Sequence, residues 1–404
     1  MRNIELLCPA GDLTRLICAV DFGADAVYLA GEEFGMRTAS ANFSLEDMKK
    51  GIEYAHSKGV KVHITCNTTP HCDEIERIPE YIRQVSELNP DAFIVGDLGT
   101  LAIVKENAPN VEIHASVQSG ITNYMTAIEL YKLGARRAVL ARELTVEEIR
   151  KIREKIPEDM ELECFVHGAM CVSYSGRCLL SSYMTGRDAN RGDCAQPCRW
   201  SYSLMEQTRP GEYYDITQTD KGTYILNAND LNMSEHLADL YNAGVNSFKI
   251  EGRAKSHYYV AVVTNAYRGA VDNVLRDVNS PCPEWVKEEL EKISHRTYST
   301  GFYYDRHPNT LTYATAGYIR DYAVAAVVEG YENGCIIASL KNKFFAGTTL
   351  DCLEAGSVPF KVSTDTLYDE KNEPIDMANK PTMLIKIPFD REVKTGSFLR
   401  MKSE

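Results

Sequence analysis

A chain of 404 residues is long for one ordinary domain and suits a barrel of about 250–300 residues with a smaller module attached. Its 44% hydrophobic and 25% charged residues are those of a globular protein, and no apolar run approaches the roughly 20 residues of a membrane helix, so no membrane partner is expected. A formal charge of −13 excludes tight nucleic-acid binding spread over the whole surface, although not on one local face.

The N-terminus, Met1-Arg2-Asn3-Ile4-Glu5, enters a strand pattern without the apolar stretch of a signal peptide, which predicts a cytoplasmic protein. Short β-like runs then alternate with amphipathic helices. The predicted strands are Ile4–Cys8, Ala26–Ala30, Lys61–Asn67, Ala92–Val95, Val111–Ser116, Arg137–Ala141, Glu161–His167 and Ser247–Arg253, with helices such as Leu45–Lys58, Ile75–Leu88, Tyr124–Leu133 and Val146–Ile156 between them. This alternation predicts an α/β fold, a closed (β/α)8 TIM-like barrel over residues 1–305 with a cysteine-rich loop insertion at about 168–245. Tyr224–Asn229 reads as a further strand, either inserted or displacing the eighth. Beyond the break at Val278–Pro283 the texture changes to β-branched runs, Val324–Val328, Cys335–Leu340, Thr349–Leu353 and Met383–Ile387, with turns at Asn333-Gly334 and Ala346-Gly347. Residues 316–404 are therefore expected to form a small antiparallel β-barrel domain.

Twelve cysteines in a chain without a secretion signal are expected to be reduced, so position matters more than number. Cys171, Cys178, Cys194 and Cys198 lie in one loop-rich stretch directly after the seventh strand, which places them over the C-terminal mouth of the barrel. Gly176, Gly186, Gly192 and Pro197 supply the turns for wrapping a compact centre. Four thiolates suit an iron–sulfur cluster or zinc, and the six-residue gap between Cys171 and Cys178 is too open for a tight zinc knuckle. Unrelated buried thiols and a disulfide are the blander readings. The other cysteines, such as Cys66 and Cys164, alternate in register with Val62, Ile64, Leu162 and Val166 and read as small core hydrophobes.

The stretch Glu163-Cys164-Phe165-Val166-His167-Gly168-Ala169-Met170-Cys171, followed by Gly176-Arg177-Cys178-Leu179-Leu180-Ser181, resembles the signature of the collagenase-like peptidase family U32. Pro9-Ala10-Gly11, Gly23–Tyr28 and Lys249–Arg253 look like further landmarks, so the resemblance runs from residue 4 to about 275. It implies a barrel whose better understood members are hydroxylation proteins for tRNA wobble uridine at carbon five, for a cytidine of ribosomal RNA, or for the ubiquinone ring. In length and in its C-terminal β domain the chain looks most like the tRNA branch, which is thought to depend on prephenate. By resemblance a 4Fe–4S cluster maps onto Cys171, Cys178, Cys194 and Cys198, zinc being the alternative. Members also work in pairs, so tRNA and a paralogous partner subunit are the implied partners. A peptidase, or a non-catalytic RNA- or partner-binding subunit with a structural cluster, are the rival functions.

Strand alternation gives an independent view of the lumen. His63, Thr65 and Asn67 share one face of strand three, Glu112, His114 and Ser116 one face of strand five, Glu163, Phe165 and His167 one face of strand seven, and Lys249, Glu251 and Arg253 one face of strand eight. A purely structural lumen would be filled with branched aliphatic residues, so this polar set predicts a binding cavity under the cysteine loop. The candidates for chemistry are His167, Glu163, Glu251 and His114, and for substrate contact Asn67, Arg253, Lys255, Arg187 and Arg191. Glu112 or Glu251 paired with Lys249 is the expected structural ion pair. Arg177, Arg187, Arg191 and Arg199 with Tyr174, Tyr183 and Trp200 suit a splayed-out base and its phosphates. No H-E-x-x-H or G-x-S-x-G motif is present, and Cys171 near His167 is the nearest approach to a thiol protease pair.

Overall fold

The computed structural model describes residues 3–36, 42–200, 218–219, 222–223, 228–306 and 318–403. Seven parallel strands, β1 (Glu5–Pro9), β2 (Ala26–Ala30), β3 (Lys61–Cys66), β4 (Ala92–Val95), β5 (Glu112–Ala115), β6 (Ala135–Val139) and β7 (Glu161–Ala169), pair in sequence order. An eighth, Ser247–Ile250, pairs in parallel with both β1 and β7 and closes the barrel. Helices such as Leu45–Ser57, Ile78–Ser86, Val146–Arg153 and His257–Arg276 cover the outside with apolar faces. Side-chain caps start several of them, Ser44 at Asp47 and Thr145 at Glu148 among them.

The expected eighth strand is the one that closes the barrel, while residues 224–227 of the competing segment lie outside the described residues. Downstream of them, Asp230–Asn232 forms a short strand antiparallel to the end of β7, an addition to the barrel wall that alternation did not indicate.

The family landmarks coincide at one point of the rim. A Cβ on Gly11 would stand 2.1 Å from the carbonyl oxygen of Arg253, and one on Gly168 would stand 2.4 Å from that of Glu251. Gly168 also has φ of +109°, which side-chain-bearing residues avoid. Gly168→Ala should therefore cost more than the roughly 1–3 kcal/mol of backbone strain alone. Gly186, at φ +74° with open space around it, provides the comparison. Denaturant titration of both alanine variants is expected to show the larger loss at Gly168, and equal losses would mean that the rim can open without penalty.

The β domain is a six-stranded antiparallel sheet in the order Phe360–Ser363, Thr349–Leu353, Phe398–Lys402, Tyr322–Glu332, Cys335–Leu340, Leu384–Pro388. It has a core of its own around Ala338, Leu350, Val362 and Ile385, while Leu353 and Phe398 join the barrel's core. Arg400, fully buried, bonds both oxygens of Glu289 at 2.6 Å and Asp351 at 2.7 Å, and Lys292 bonds the same two acids.

Candidate functional site

The lumen is stratified. Its lower part holds a charge network in which Arg137 meets Glu5 at 2.5 Å, Glu161 at 2.6 Å and Glu163 at 3.0 Å, and Lys249 meets the other oxygen of Glu163 at 2.7 Å. Burial raises the Glu163 carboxyl, but Lys249 and then Arg137 outweigh it and hold it down at about 2. His63 and His114 stack edge to face at 4.7 Å beside this network, and burial pushes both imidazoles down to about 3, so they are neutral. Lys249 therefore pairs with Glu163 rather than with Glu112 or Glu251. Glu112 lies at the exposed lower end, 3.3 Å from His114.

Above the network lies a cavity of about 480 Å³, within the ~300–1,000 Å³ usual for small-molecule sites. Its floor is aromatic and cationic: Phe165 is flanked by Arg142 at 3.9 Å and Lys249 at 5.5 Å, and Lys249 also faces the Tyr28 ring at 4.6 Å. Thr65, Asn67, Ser116, Glu251 and Arg253 line its walls. Arg253 donates to the Thr65 hydroxyl at 3.2 Å, and Asn67 accepts the Met36 amide at 3.3 Å. Glu251 is the only carboxylate among the described residues of the lining, and Arg142 holds it at 3.5 Å.

Of the polar residues expected to converge, Asn67, Glu251 and Arg253 reach this cavity, while His63, His114 and Glu163 belong to the network below. His167 is the exception to alternation. Val166 is an extra residue in the pairing of β7 with the eighth strand, where Phe165 opposes Lys249 and His167 opposes Ile250. That bulge turns His167 away from the lumen and among Tyr259, Tyr267 and Tyr298, at ring distances of 6.0, 5.3 and 5.5 Å. No histidine lines the cavity among the described residues, so Cys171 has no imidazole base there.

All four candidate cysteines stand on the cavity's upper wall. Three of the four sulfurs accept the amide two residues onward: Cys171 from Ser173 at 3.4 Å, Cys178 from Leu180 at 3.3 Å and Cys194 from Gln196 at 3.4 Å. Such donors lower the charge that a thiolate presents to a bound metal. Burial pushes the Cys198 thiol up, Arg199 opposing and the other three cysteines adding to the rise. Among the described residues no three His, Cys, Asp or Glu side chains stand close enough to grip a single ion. The donor set is four soft thiols on one rim, three of them accepting an amide hydrogen, the ligand chemistry of either an iron–sulfur cluster or zinc.

The loop is pinned at several points. Glu143 accepts both the amide and the hydroxyl of Ser175, at 2.5 and 2.8 Å, where the backbone is left-handed at φ +46°. Asn190 bonds the backbone of Cys178 on both sides at 3.0 Å, and the fully buried Ser181 accepts the Ala195 amide at 3.0 Å. Arg191 is taken by Glu74 at 2.6 Å and Arg187 by Asp193 at 2.7 Å, so these two expected substrate contacts serve loop structure in this conformation. The sequence reading passed over Arg142 and Glu143. The signal lay in their position just after β6, at the C-terminal mouth where barrel sites are built.

A closed barrel with a thiol-rimmed cavity at its C-terminal mouth and a small β domain behind it defines the architectural class. The chain belongs to peptidase family U32, whose model matches residues 11–312, and the model of the family's C-terminal domain matches residues 320–400. It is 34% identical to a tRNA hydroxylation protein of Bacillus subtilis over 98% of this chain and 94% of that one. An uncharacterised protease of Methanocaldococcus jannaschii is 44% identical over 75% of this chain and 74% of its own length. A 23S rRNA 5-hydroxycytidine synthase of Escherichia coli is 39% identical over 68% of this chain and 40% of its own. Among the described residues no helix is long and apolar enough to cross a membrane.

Proposed function

We propose that the chain is an RNA-hydroxylating enzyme that acts on carbon five of the tRNA wobble uridine, with a 4Fe–4S cluster held by Cys171, Cys178, Cys194 and Cys198 and prephenate as co-substrate. The observation that carries the reading is that all four thiols stand on the wall of one cavity running down to the aromatic and cationic floor. The near full-length relative named for tRNA hydroxylation supplies the substrate class. A cluster bound at this rim would supply one-electron redox chemistry.

The chain's own residues would do the rest. A pyrimidine entering the cavity would meet Asn67 and Ser116 as hydrogen-bonding groups and the Phe165 ring, capped by Arg142, below. Glu251 is the group placed to take the proton that leaves carbon five, and Arg142 and Tyr259, which donates to the Glu251 carbonyl at 3.0 Å, fix its position. Arg253 and Lys249 provide positive charge for a small carboxylate beside the base. The peptidase reading has a relative's name in its favour, but Cys171 lacks a histidine on the described cavity wall.

Nucleoside mass spectrometry of tRNA tests the proposal. A deletion strain should lose 5-hydroxyuridine and its derivatives, wild type should restore them, and Cys171→Ala should not. Unchanged hydroxyuridine in the deletion strain would overturn the reading.

A further inference from the structure

The cavity's positive rim continues past the cysteine loop to a residue that no motif marked. Tyr318 lies just ahead of the β domain and is ringed by three cations from three parts of the chain. Arg199, which follows Cys198 and lines the cavity, donates to its hydroxyl at 3.3 Å. Lys255, two residues beyond the cavity residue Arg253, faces its ring at 4.5 Å, and Arg320 stands 5.8 Å from the ring centre. Ile319 then pairs with His295 at 2.7 and 3.3 Å, which leads the chain to a cleft of about 620 Å³ between the barrel and the β domain.

Arg320, Tyr322, Lys292, Lys361 and Lys402 line that cleft together with Glu288, Glu291 and Asp321, and Lys292 is bonded to Glu289 and Asp351. Lys361 is spoken for by Asp351, as Arg187 and Arg191 are by their own acids. Arg199, Lys255, Arg320 and Lys402 differ: among the described residues none of them is in an ion pair, and Asp230, the carboxylate whose charge acts on Lys255, is itself bound by Arg296 at 2.6 Å. Docking the chain onto the barrel would need one such contact to the ring, not three positive groups converging without a carboxylate. In a chain of net charge −13, three cations without an acid partner among the described residues, gathered round the Tyr318 ring beside the reactive cavity, are the feature that calls for an anionic ligand.

We propose that Tyr318, with Lys255, Arg320 and Lys402, is a clasp for the RNA strand, leading from the thiol-rimmed cavity into the cleft at the β domain. The phenol ring offers a stacking face to a base and the cations hold the flanking phosphates. The β domain thereby becomes part of the RNA site. The clasp rests on the RNA reading above, deepens it, and replaces Arg187 and Arg191 as the main phosphate contacts.

Binding of the full-length, iron-loaded protein to unmodified tRNA transcript, measured at several salt concentrations, tests this. Lys255→Gln combined with Arg320→Gln and Lys402→Gln should weaken binding about 10-fold or more and flatten the salt dependence by roughly one unit of log–log slope per lost phosphate contact. Tyr318→Leu should weaken binding about 5-fold or more with the slope kept, and Tyr318→Phe should restore it. Iron content and melting temperature should stay at wild-type values, which separates the clasp from a fault in folding. Wild-type affinity and slope in the triple variant would overturn the clasp while leaving the RNA reading standing. A wild-type protein that binds no tRNA, or prefers an acidic peptide, would overturn both.

Discussion

Cys178→Ala is expected to yield a folded, colourless protein with almost no iron, where the wild type purified without air should be brown and carry about four irons on four thiolates. The fold should survive because Asn190 holds the Cys178 backbone through its amide and carbonyl, both at 3.0 Å, and neither bond uses the thiol. Metal retention should not survive. Loss of a supporting hydrogen bond typically lowers metal affinity ~10–100-fold, and loss of a ligand exceeds that. Hydroxyuridine should disappear from tRNA in cells carrying only this variant. Cys72→Ala is the control: that thiol is exposed and does not line the cavity, so its iron content should equal the wild type's. A colourless wild type with one stoichiometric zinc after anaerobic reconstitution would remove the cluster and leave a zinc centre.

The barrel was legible because parallel strands covered by helices leave a period-two record. Alternation correctly turned His63, His114 and Lys249 inward, since each of these strands pairs residue for residue with one neighbour and the register shift beside His114 adds its extra residue to β6. It failed at His167 because one extra residue, Val166, reverses every side chain beyond it, and no residue type announces a bulge there. The sense of the lumen was legible, but its layering was not. Glu163 on β7 and Glu251 at the end of the neighbouring eighth barrel strand look alike as letters, yet one is locked between Lys249 and Arg137 and the other faces the cavity. Which acid meets which base depends on strand stagger, which one sequence does not contain. The cysteine loop was legible as a constellation because soft ligands are rare and clustered. What the loop's own residues do not indicate is that Glu74, distant in sequence, closes on Arg191.

Arg137→Met should be the most damaging single substitution in the lower lumen, costing about 3–5 kcal/mol in chemical denaturation. Arg137 is almost wholly buried and bonds Glu5, Glu161 and Glu163. Methionine fills much of the space but strands two buried carboxylates, with Lys249 left as the partner of Glu163 and Ser247 donating to Glu5 at 3.1 Å. The cost is thus mainly that of uncompensated charge, and a double variant separates the two contributions. Glu163→Gln added to Arg137→Met should recover part of the loss, whereas two independent faults would add. The pH dependence follows from the same groups. Glu163 has a folded pKa of about 2 against 4.5 unfolded, so its stabilisation is complete above about 4.5 and is lost as the pH falls toward 2. In Arg137→Met both Glu5 and Glu163 lose their guanidinium, their folded pKa values rise, and less of this stabilisation remains to be lost. The variant should therefore be weaker at neutral pH and show a shallower acid limb between pH 4.5 and 2. A loss below about 1 kcal/mol with an unchanged acid limb would mean that water enters the lower lumen and solvates these carboxylates, leaving the network little role in holding the barrel together.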